Sequence, residues 1–348
     1  MHNDEKYIRN TCYVPLVYKE YSTERVMTME YIANACKVTD TKKLDEMGLS
    51  VRNVALSVME VFASQIFQSG FVQADGHPAN VLVRKHPNGK KGQHQVVLID
   101  HGLYVELTES FRRQYAQLWK AIFEVDIKTL DKITKSWGMG EGSSELFASA
   151  TLLRPWKKPK SKGEQETTQR KSDLEVQREM KEKIKNFLVS VELVPKELIF
   201  VGRSMRIIQA NNQVLGSPVN RLNILARHAA SALISNRTPT LRRVFFPVHA
   251  NRSDTLPRFS ERFHEWFTNR IAFVKFRSVL FVLDMAFVTS KVSHWMSFLF
   301  QRPLQALGLK KKEPGVQGGG FEDDLERRMK KMARDEFGVE LDDSAFMG

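Results

Sequence analysis

Phe71-Val72-Gln73-Ala74-Asp75-Gly76-His77-Pro78-Ala79-Asn80-Val81-Leu82-Val83 decides how this chain is read, together with Leu98-Ile99-Asp100-His101-Gly102. In the first stretch an acidic loop leads into an apolar run; in the second an apolar run ends on an Asp. Val81-Leu82-Val83 and Val96-Val97-Leu98-Ile99 have the length and composition of strands. His86-Pro87-Asn88-Gly89 supplies the turn chemistry between them, so the pair reads as a hairpin. Such a hairpin brings Asn80, before its first strand, beside Asp100, after its second. Upstream, residues 45–69 carry Val54, Val58, Val61, Phe62, Ile66 and Phe67 at helical spacing, and Gly70 stops the pattern.

An Asp, an Asn five positions on and an Asp-x-Gly beyond a hairpin form the layout of a kinase C-lobe. Phosphoryl transfer needs little covalent chemistry from protein and much positioning and charge neutralisation. One carboxylate must orient the acceptor. An amide oxygen and a second carboxylate must hold Mg²⁺, which prefers hard oxygen ligands. Gly102 is expected to permit the backbone turn that aims Asp100 inward. Each residue alone is a weak signal, since an isolated Asp-x-Gly is usually a turn; the ordered helix, loop, hairpin and Asp-x-Gly are specific together.

These blocks resemble the UbiB/aarF-domain (ADCK) family of atypical kinases. Residues 71–83 are similar to its G-F-x-H-x-D-P-H-P-G-N-x-L-V signature, and Leu98-Ile99-Asp100-His101-Gly102-Leu103-Tyr104 to its L-L-D-H-G-L-Y. Ser22-Thr23-Glu24-Arg25-Val26-Met27-Thr28-Met29-Glu30-Tyr31 resembles its S-T-x-R-V-L-x-M-E-Y strand entering the hinge. The resemblance implies a catalytic-loop role for Asp75 and metal binding by Asn80 and Asp100. It puts His77 where ordinary kinases carry a Lys near the transferred phosphate, and makes the backbones of Glu30 and Ile32 the hinge that reads adenine. Mg and ATP are the implied cofactors. Beyond about Gly138 the resemblance is looser and points to the mitochondrial branch, which implies an inner-membrane-associated protein in membrane lipid or coenzyme Q homeostasis. Three positions depart from the pattern: Gln73 replaces a His that braces the loop, Gly76 replaces Pro and is expected to loosen it, and Ala79 replaces Gly, which is harmless unless that position needs positive φ.

The rest of the chain sets bounds. A net charge of +13 over 348 residues favours phosphates, an anionic membrane surface or a lipid-like client. Nucleic acid is not an expected partner, because no finger spacing, RNP aromatics or basic zipper occurs. Cys12 and Cys36 lack CxxC spacing and read as buried thiols rather than a disulfide or zinc site. Met1-His2-Asn3-Asp4-Glu5 is polar and mixed in charge, unlike a signal peptide.

The expected fold is α+β and mostly α: a protein-kinase-like C-lobe with a small β-hairpin, an N-lobe largely missing, and extra C-terminal helices. Residues 1–32 read as a remnant of N-lobe strands (14–20 and 25–31) and hinge, and 33–236 as the C-lobe. Within it, 108–136 is helical and 153–177 is a disordered insertion; helices follow over 174–190, 195–213 and 219–235. Residues 237–313 form a basic, aromatic helical extension that begins with an Arg/Pro-rich arm over 237–258. Its 263–300 stretch reads as helices covering the domain, with an interfacial membrane helix as the sharper alternative. Residues 314–348 are a flexible charged tail. The phosphate-covering loop, strand Lys, partner Glu and K-x-G-Q motif that belong before a hinge are not found in the residues before Met29. The expectation is therefore an N-terminally truncated atypical kinase or ATPase with a formed metal corner and little nucleotide affinity. The alternative is a catalytically inactive, membrane-associated scaffold.

Overall fold

A computed structural model describes residues 11–139, 144–152 and 195–235, and scattered helical residues between 271 and 292. The expected insertion at 153–177, the helix at 174–190, the arm at 237–258 and the tail at 314–348 lie outside the described residues. The fold is α+β and mostly helical, as expected.

The predicted hairpin is present as β4 (Val81–Lys85) and β5 (His94–Leu98), in antiparallel register with Val81 opposite Leu98. It is the centre of a larger sheet. β1 (Cys12–Tyr13) runs parallel to β5, and β2 (Ala35–Lys37) runs antiparallel to β4. A separate pair, β3 (Phe71–Gln73) and β6 (Tyr104–Glu106), frames the two acidic loops. Cys12 and Cys36 are buried and free on opposite outer strands, with burial pushing the Cys12 thiol up to about 12.

The strands expected at 14–20 and 25–31 shrink to one bridge, Val17 opposite Met29. Side chains compete with the ladder there. Ser22 Oγ donates to the Tyr18 carbonyl and accepts from Thr28 N–H, and Thr28 Oγ1 donates to the Tyr21 carbonyl. These bonds curl Lys19–Tyr21 into a 3₁₀ turn.

The helix expected over 45–69 is two helices and a π turn. α1 (Thr41–Glu46) is capped by Asp40, and Gly48, at φ 65°, reverses the chain after it. α2 (Val51–Ser64) starts at the Ser50 cap and runs into a π turn, Gln65–Ser69, closed by Gly70 at φ 74°. The helical stretch at 108–136 likewise divides into α3 (Glu109–Glu124) and α4 (Ile127–Ser136), at Val125 in the left-handed region and the Asp126 cap. α5 (Ser144–Leu152), α6 (Lys196–Val214) and α7 (Arg221–Ser235) follow.

α7 packs across α3 and α2. The aromatics of this core stack: Phe67 on Tyr115 at 5.6 Å between ring centroids and Phe111 on Trp137 at 5.6 Å, with Trp119 fully buried among them. From the C-terminal stretch, Phe276 and Leu280 enter the same core, and Asn223 Nδ2 holds the Leu280 carbonyl at 3.1 Å. The described residues of this stretch thus pack on the domain core, while 263–270 and 293–300 lie outside the described residues.

One ion cluster ties α2 to α7. Glu60 accepts from Arg227 at 2.7 Å and from His228 Nε2. Burial alone would raise the Glu60 carboxyl, but the bond to His228, the His228 charge and the Arg227 guanidinium outweigh it and hold it below the usual range. A carboxyl depressed in the folded state stabilises fully above its unfolded pKa, near ~4.3, and that contribution disappears as pH falls through the folded value. Glu60→Gln should therefore melt lower at pH 6, by on the order of 1 kcal/mol for a half-exposed cluster. In thermal melts from pH 6 to 3, the gap from wild type should close below about pH 4. A gap independent of pH would show that the cluster acts through packing.

Candidate functional site

The catalytic-type loop 73–80 is built from bonds that leave its acidic tip near solvent. Asn80 N–H donates to the His77 carbonyl at 2.8 Å, closing the turn. The Asn80 amide donates to the Asp75 carbonyl at 3.1 Å and reaches Asp75 Oδ2 at 3.5 Å. Its Oδ1 is thus the atom turned away from Asp75. The Asn80 carbonyl accepts from Ile99 N–H at 3.1 Å, next to Asp100. Across the loops, Ala74 N–H donates to the Leu103 carbonyl at 3.0 Å. Asp75 and Asn80 are partly buried, and Asp100 is exposed.

Gln73 is the buried brace. Its Nε2 donates to the Asp100 carbonyl, its N–H donates to Gln65 Oε1 at 2.9 Å, and its carbonyl accepts from Ser204 Oγ at 3.3 Å. The amide thus ties the first loop to the second directly, in keeping with a bracing role at this position. The π turn matters here, because it carries Gln65.

Two glycines behave differently from expectation. Gly102 lies outside the left-handed region, so freedom of φ is not its role. Its N–H instead caps Asp100 Oδ1 at 2.8 Å, and a Cβ would stand 3.2 Å from that oxygen. Gly76 does not loosen the loop. A Cβ there would lie 2.6 Å from the Phe62 ring, so the glycine lets the loop settle onto α2. Asn211 Nδ2 then pins the Gly76 carbonyl at 3.1 Å. Ala79 keeps negative φ, and its replacement of Gly is harmless as expected.

His77 is exposed, and its Nδ1 accepts from Ala79 N–H at 3.3 Å. In the hinge-like segment, Glu30 N–H is committed to the Leu16 carbonyl at 2.8 Å. The Glu30 carboxylate takes a structural part: it accepts from the Tyr13 hydroxyl and from Leu16 N–H at 3.3 Å, and pairs with Arg84 at 3.8 Å. The bond to Glu30 raises the Tyr13 hydroxyl above its ordinary value. Arg84 lies 4.6 Å over the Tyr13 ring. Ile32 sits half-buried just beyond.

Sequence reasoning missed α6 altogether as part of this site. Ser204, Asn211 and Arg203 all reach the loop from a helix about 130 residues away, and Arg203 meets Asp75 Oδ1 at 3.3 Å. No spacing signal links them, since α6 reads only as a helix. Among the described residues no group of three or more His, Cys, Asp or Glu side chains could hold a metal ion. A cation here would depend on Asn80 Oδ1 alongside carboxylates, a donor set that fits a hard ion such as Mg²⁺.

Residues 2–134 match the ABC1 atypical kinase-like domain. Over 244 residues the chain is 36% identical to an ABC1 family protein, lscO, of Purpureocillium lilacinum, covering 65% of this chain and 40% of that protein. It is 35% identical over 243 residues to ABC1 family protein C10F6.14c of Schizosaccharomyces pombe, with 70% and 44% covered. It is 27% identical over 256 residues to AarF domain-containing protein kinase 1 of Gallus gallus, with 73% and 49% covered. The chain spans less than half the length of each of these relatives.

The Gly76–Phe62 approach makes a direct prediction. Gly76→Ala should force the Phe62 ring aside and destabilise the fold by about 1–3 kcal/mol, read as a lower denaturation midpoint. Phe62→Leu in the same chain should recover part of the loss that Gly76→Ala causes in the Phe62 background. Purely additive losses would place the strain elsewhere.

Proposed function

The chain belongs to the ABC1 atypical kinase-like family, and from that premise we propose that its corner of Asp75, Asn80 and Asp100 binds Mg-ATP for kinase or ATPase chemistry. The observation that carries this reading is the seam at Asn80: its side chain bonds Asp75 while its carbonyl accepts from Ile99, the neighbour of Asp100.

In this reading Asn80 Oδ1 and the Asp100 carboxylate would hold Mg²⁺, which when bound neutralises charge on the phosphates. Asp75 orients the acceptor hydroxyl and takes its proton, with Asn80 Nδ2 fixing the carboxylate from one side. His77, at the exposed tip, would lie near the transferred phosphate. The Glu30 carbonyl and the Ile32 backbone read the adenine edge, the Glu30 N–H being already committed to Leu16. The phosphoryl acceptor, the mitochondrial setting and the role in membrane lipid or coenzyme Q homeostasis belong to the same proposal.

Calorimetric titration of the chain with Mg-ATP tests it. Binding should be weaker than about micromolar, depend on Mg²⁺, and fall about tenfold in Asp100→Asn. Equal binding by the two proteins, or binding indifferent to Mg²⁺, would remove the metal role from Asp100.

A membrane-associated role has an observation of its own. Val274, Phe281, Met285, Val288 and Val292 are exposed and recur at intervals of three, four and seven residues, opposite the buried Phe276, Leu280 and Phe287. No described helix is long and apolar enough to cross a membrane. An apolar stripe on a chain of net charge +13 suits the surface of an anionic bilayer. Co-sedimentation with anionic liposomes should be strong at low salt and fall in Phe281→Ser/Met285→Ser. Sedimentation unchanged by that double substitution would clear the stripe of a membrane role.

A further inference from the structure

We propose that Arg203 is an anion-binding residue of this corner, with its guanidinium shared between Asp75 and a phosphate group that enters between α6 and the loop 73–80. The inference rests on the reading of the corner as a phosphoryl site, and it adds the group that receives the phosphate.

Three observations converge. First, Arg203 Nη2 meets Asp75 Oδ1 at 3.3 Å, and both side chains are partly open to solvent, 50% and 35% exposed. A guanidinium carries five N–H donors in a rigid fork suited to phosphate, and a single-point contact with one carboxylate oxygen leaves most of that capacity in hand. Half-exposed pairs of this kind are weakly held, so the guanidinium can turn to a dianion at small cost.

Second, the helix that carries Arg203 is clamped to the loop at the next residue and again two turns further on. Ser204, fully buried, donates to the Gln73 carbonyl, and Asn211, 3% exposed, donates to the Gly76 carbonyl. Those carbonyls flank Asp75. The position of Arg203 relative to Asp75 is therefore set by the fold rather than by the ion pair itself.

Third, the solvent side beside Arg203 is open: Gly202 precedes it on the exposed side of α6, and a Cβ built there meets nothing within 4 Å. The rest of the corner needs the charge. Asp75 and Asp100 are carboxylates and Asn80 is neutral, while the ring of His77 is bonded through Nδ1 to its own loop. A phosphate meeting two carboxylates requires a cation, and Arg203 is the cationic side chain that contacts the corner among the described residues.

The phosphate could be the terminal group of a nucleotide or a phosphate ester on the acceptor. The test uses the full chain with three probes, inorganic pyrophosphate, ATP and glycerol 3-phosphate, each titrated into wild type, Arg203→Gln, Arg203→Lys and Arg206→Gln. Arg206 is exposed one turn along α6, so its substitution controls for the loss of one positive charge. Arg203→Gln should weaken pyrophosphate binding by about tenfold or more, with melting temperature held. Arg203→Lys should recover part of it, and Arg206→Gln should change it by less than about twofold. Of the other two probes, a parallel loss for ATP alone identifies the nucleotide as the source, and a parallel loss for glycerol 3-phosphate alone identifies the acceptor.

Equal losses in Arg203→Gln and Arg206→Gln, no loss in Arg203→Gln, or no binding of any probe by wild type would overturn the proposal. Failure of the underlying reading looks different. If ATP binding ignores Mg²⁺ and Asp100→Asn but pyrophosphate binding still needs Arg203, the anion site stands without a kinase-like corner. If Mg²⁺ and Asp100 matter and Arg203 does not, the corner stands and Arg203 falls.

Discussion

The hydrogen bond from Ile99 N–H to the Asn80 carbonyl closes the end of the β4–β5 ladder, and the placement of both acidic loops depends on it. Strand pairing is periodic, so register at one end dictates what meets at the other. With Val81 opposite Leu98, the residue before β4 and the residues after β5 have no alternative but to share one edge of the sheet. Gln73 converts that adjacency into a fixed geometry by donating from the first loop to the Asp100 carbonyl. With its backbone N–H and carbonyl also bonded, to Gln65 and Ser204, this buried residue leaves the loops little freedom.

Beneath the loops, packing rather than polarity sets the height of the site. Phe62 fills the space where a side chain at position 76 would stand, so the loop rests directly on α2. The π turn after α2 serves the same end, because it brings Gln65 to the Gln73 N–H. α6 then closes the far side through Ser204 and Asn211. Helix, hairpin and α6 are distant in sequence, and each contributes one wall. Electrostatics follows from this arrangement: a corner with two carboxylates receives its counter-charge from Arg203, and the hinge-like segment is held to the sheet by Glu30, Tyr13 and Arg84.

The parts legible in the sequence are those governed by short-range rules. The hairpin was readable because aliphatic runs flank a Pro-Asn-Gly turn. The interruption at Val125–Asp126 was not, because helical periodicity continues on both sides and only the left-handed Val125 breaks it. The strands expected at 14–20 and 25–31 were over-read for a related reason. Their apolar composition suits a sheet, yet Ser22 and Thr28 bond the backbone locally and leave one bridge. Glycine was misread twice, since the sequence shows the missing side chain but not the neighbour that requires its absence.

By itself the sequence determined the candidates for the proposed chemistry, Asp75, Asn80 and Asp100, on loops whose order and spacing follow from local strand and turn propensities. Only the tertiary structure decided what surrounds them. That Gly76 must be glycine, that Gln73 braces Asp100, and that Arg203 reaches Asp75 all depend on contacts between segments far apart in the chain. The physical reason is that periodicity and turn chemistry act over a few residues, whereas close packing and charge pairing act through space, between neighbours that no local pattern names.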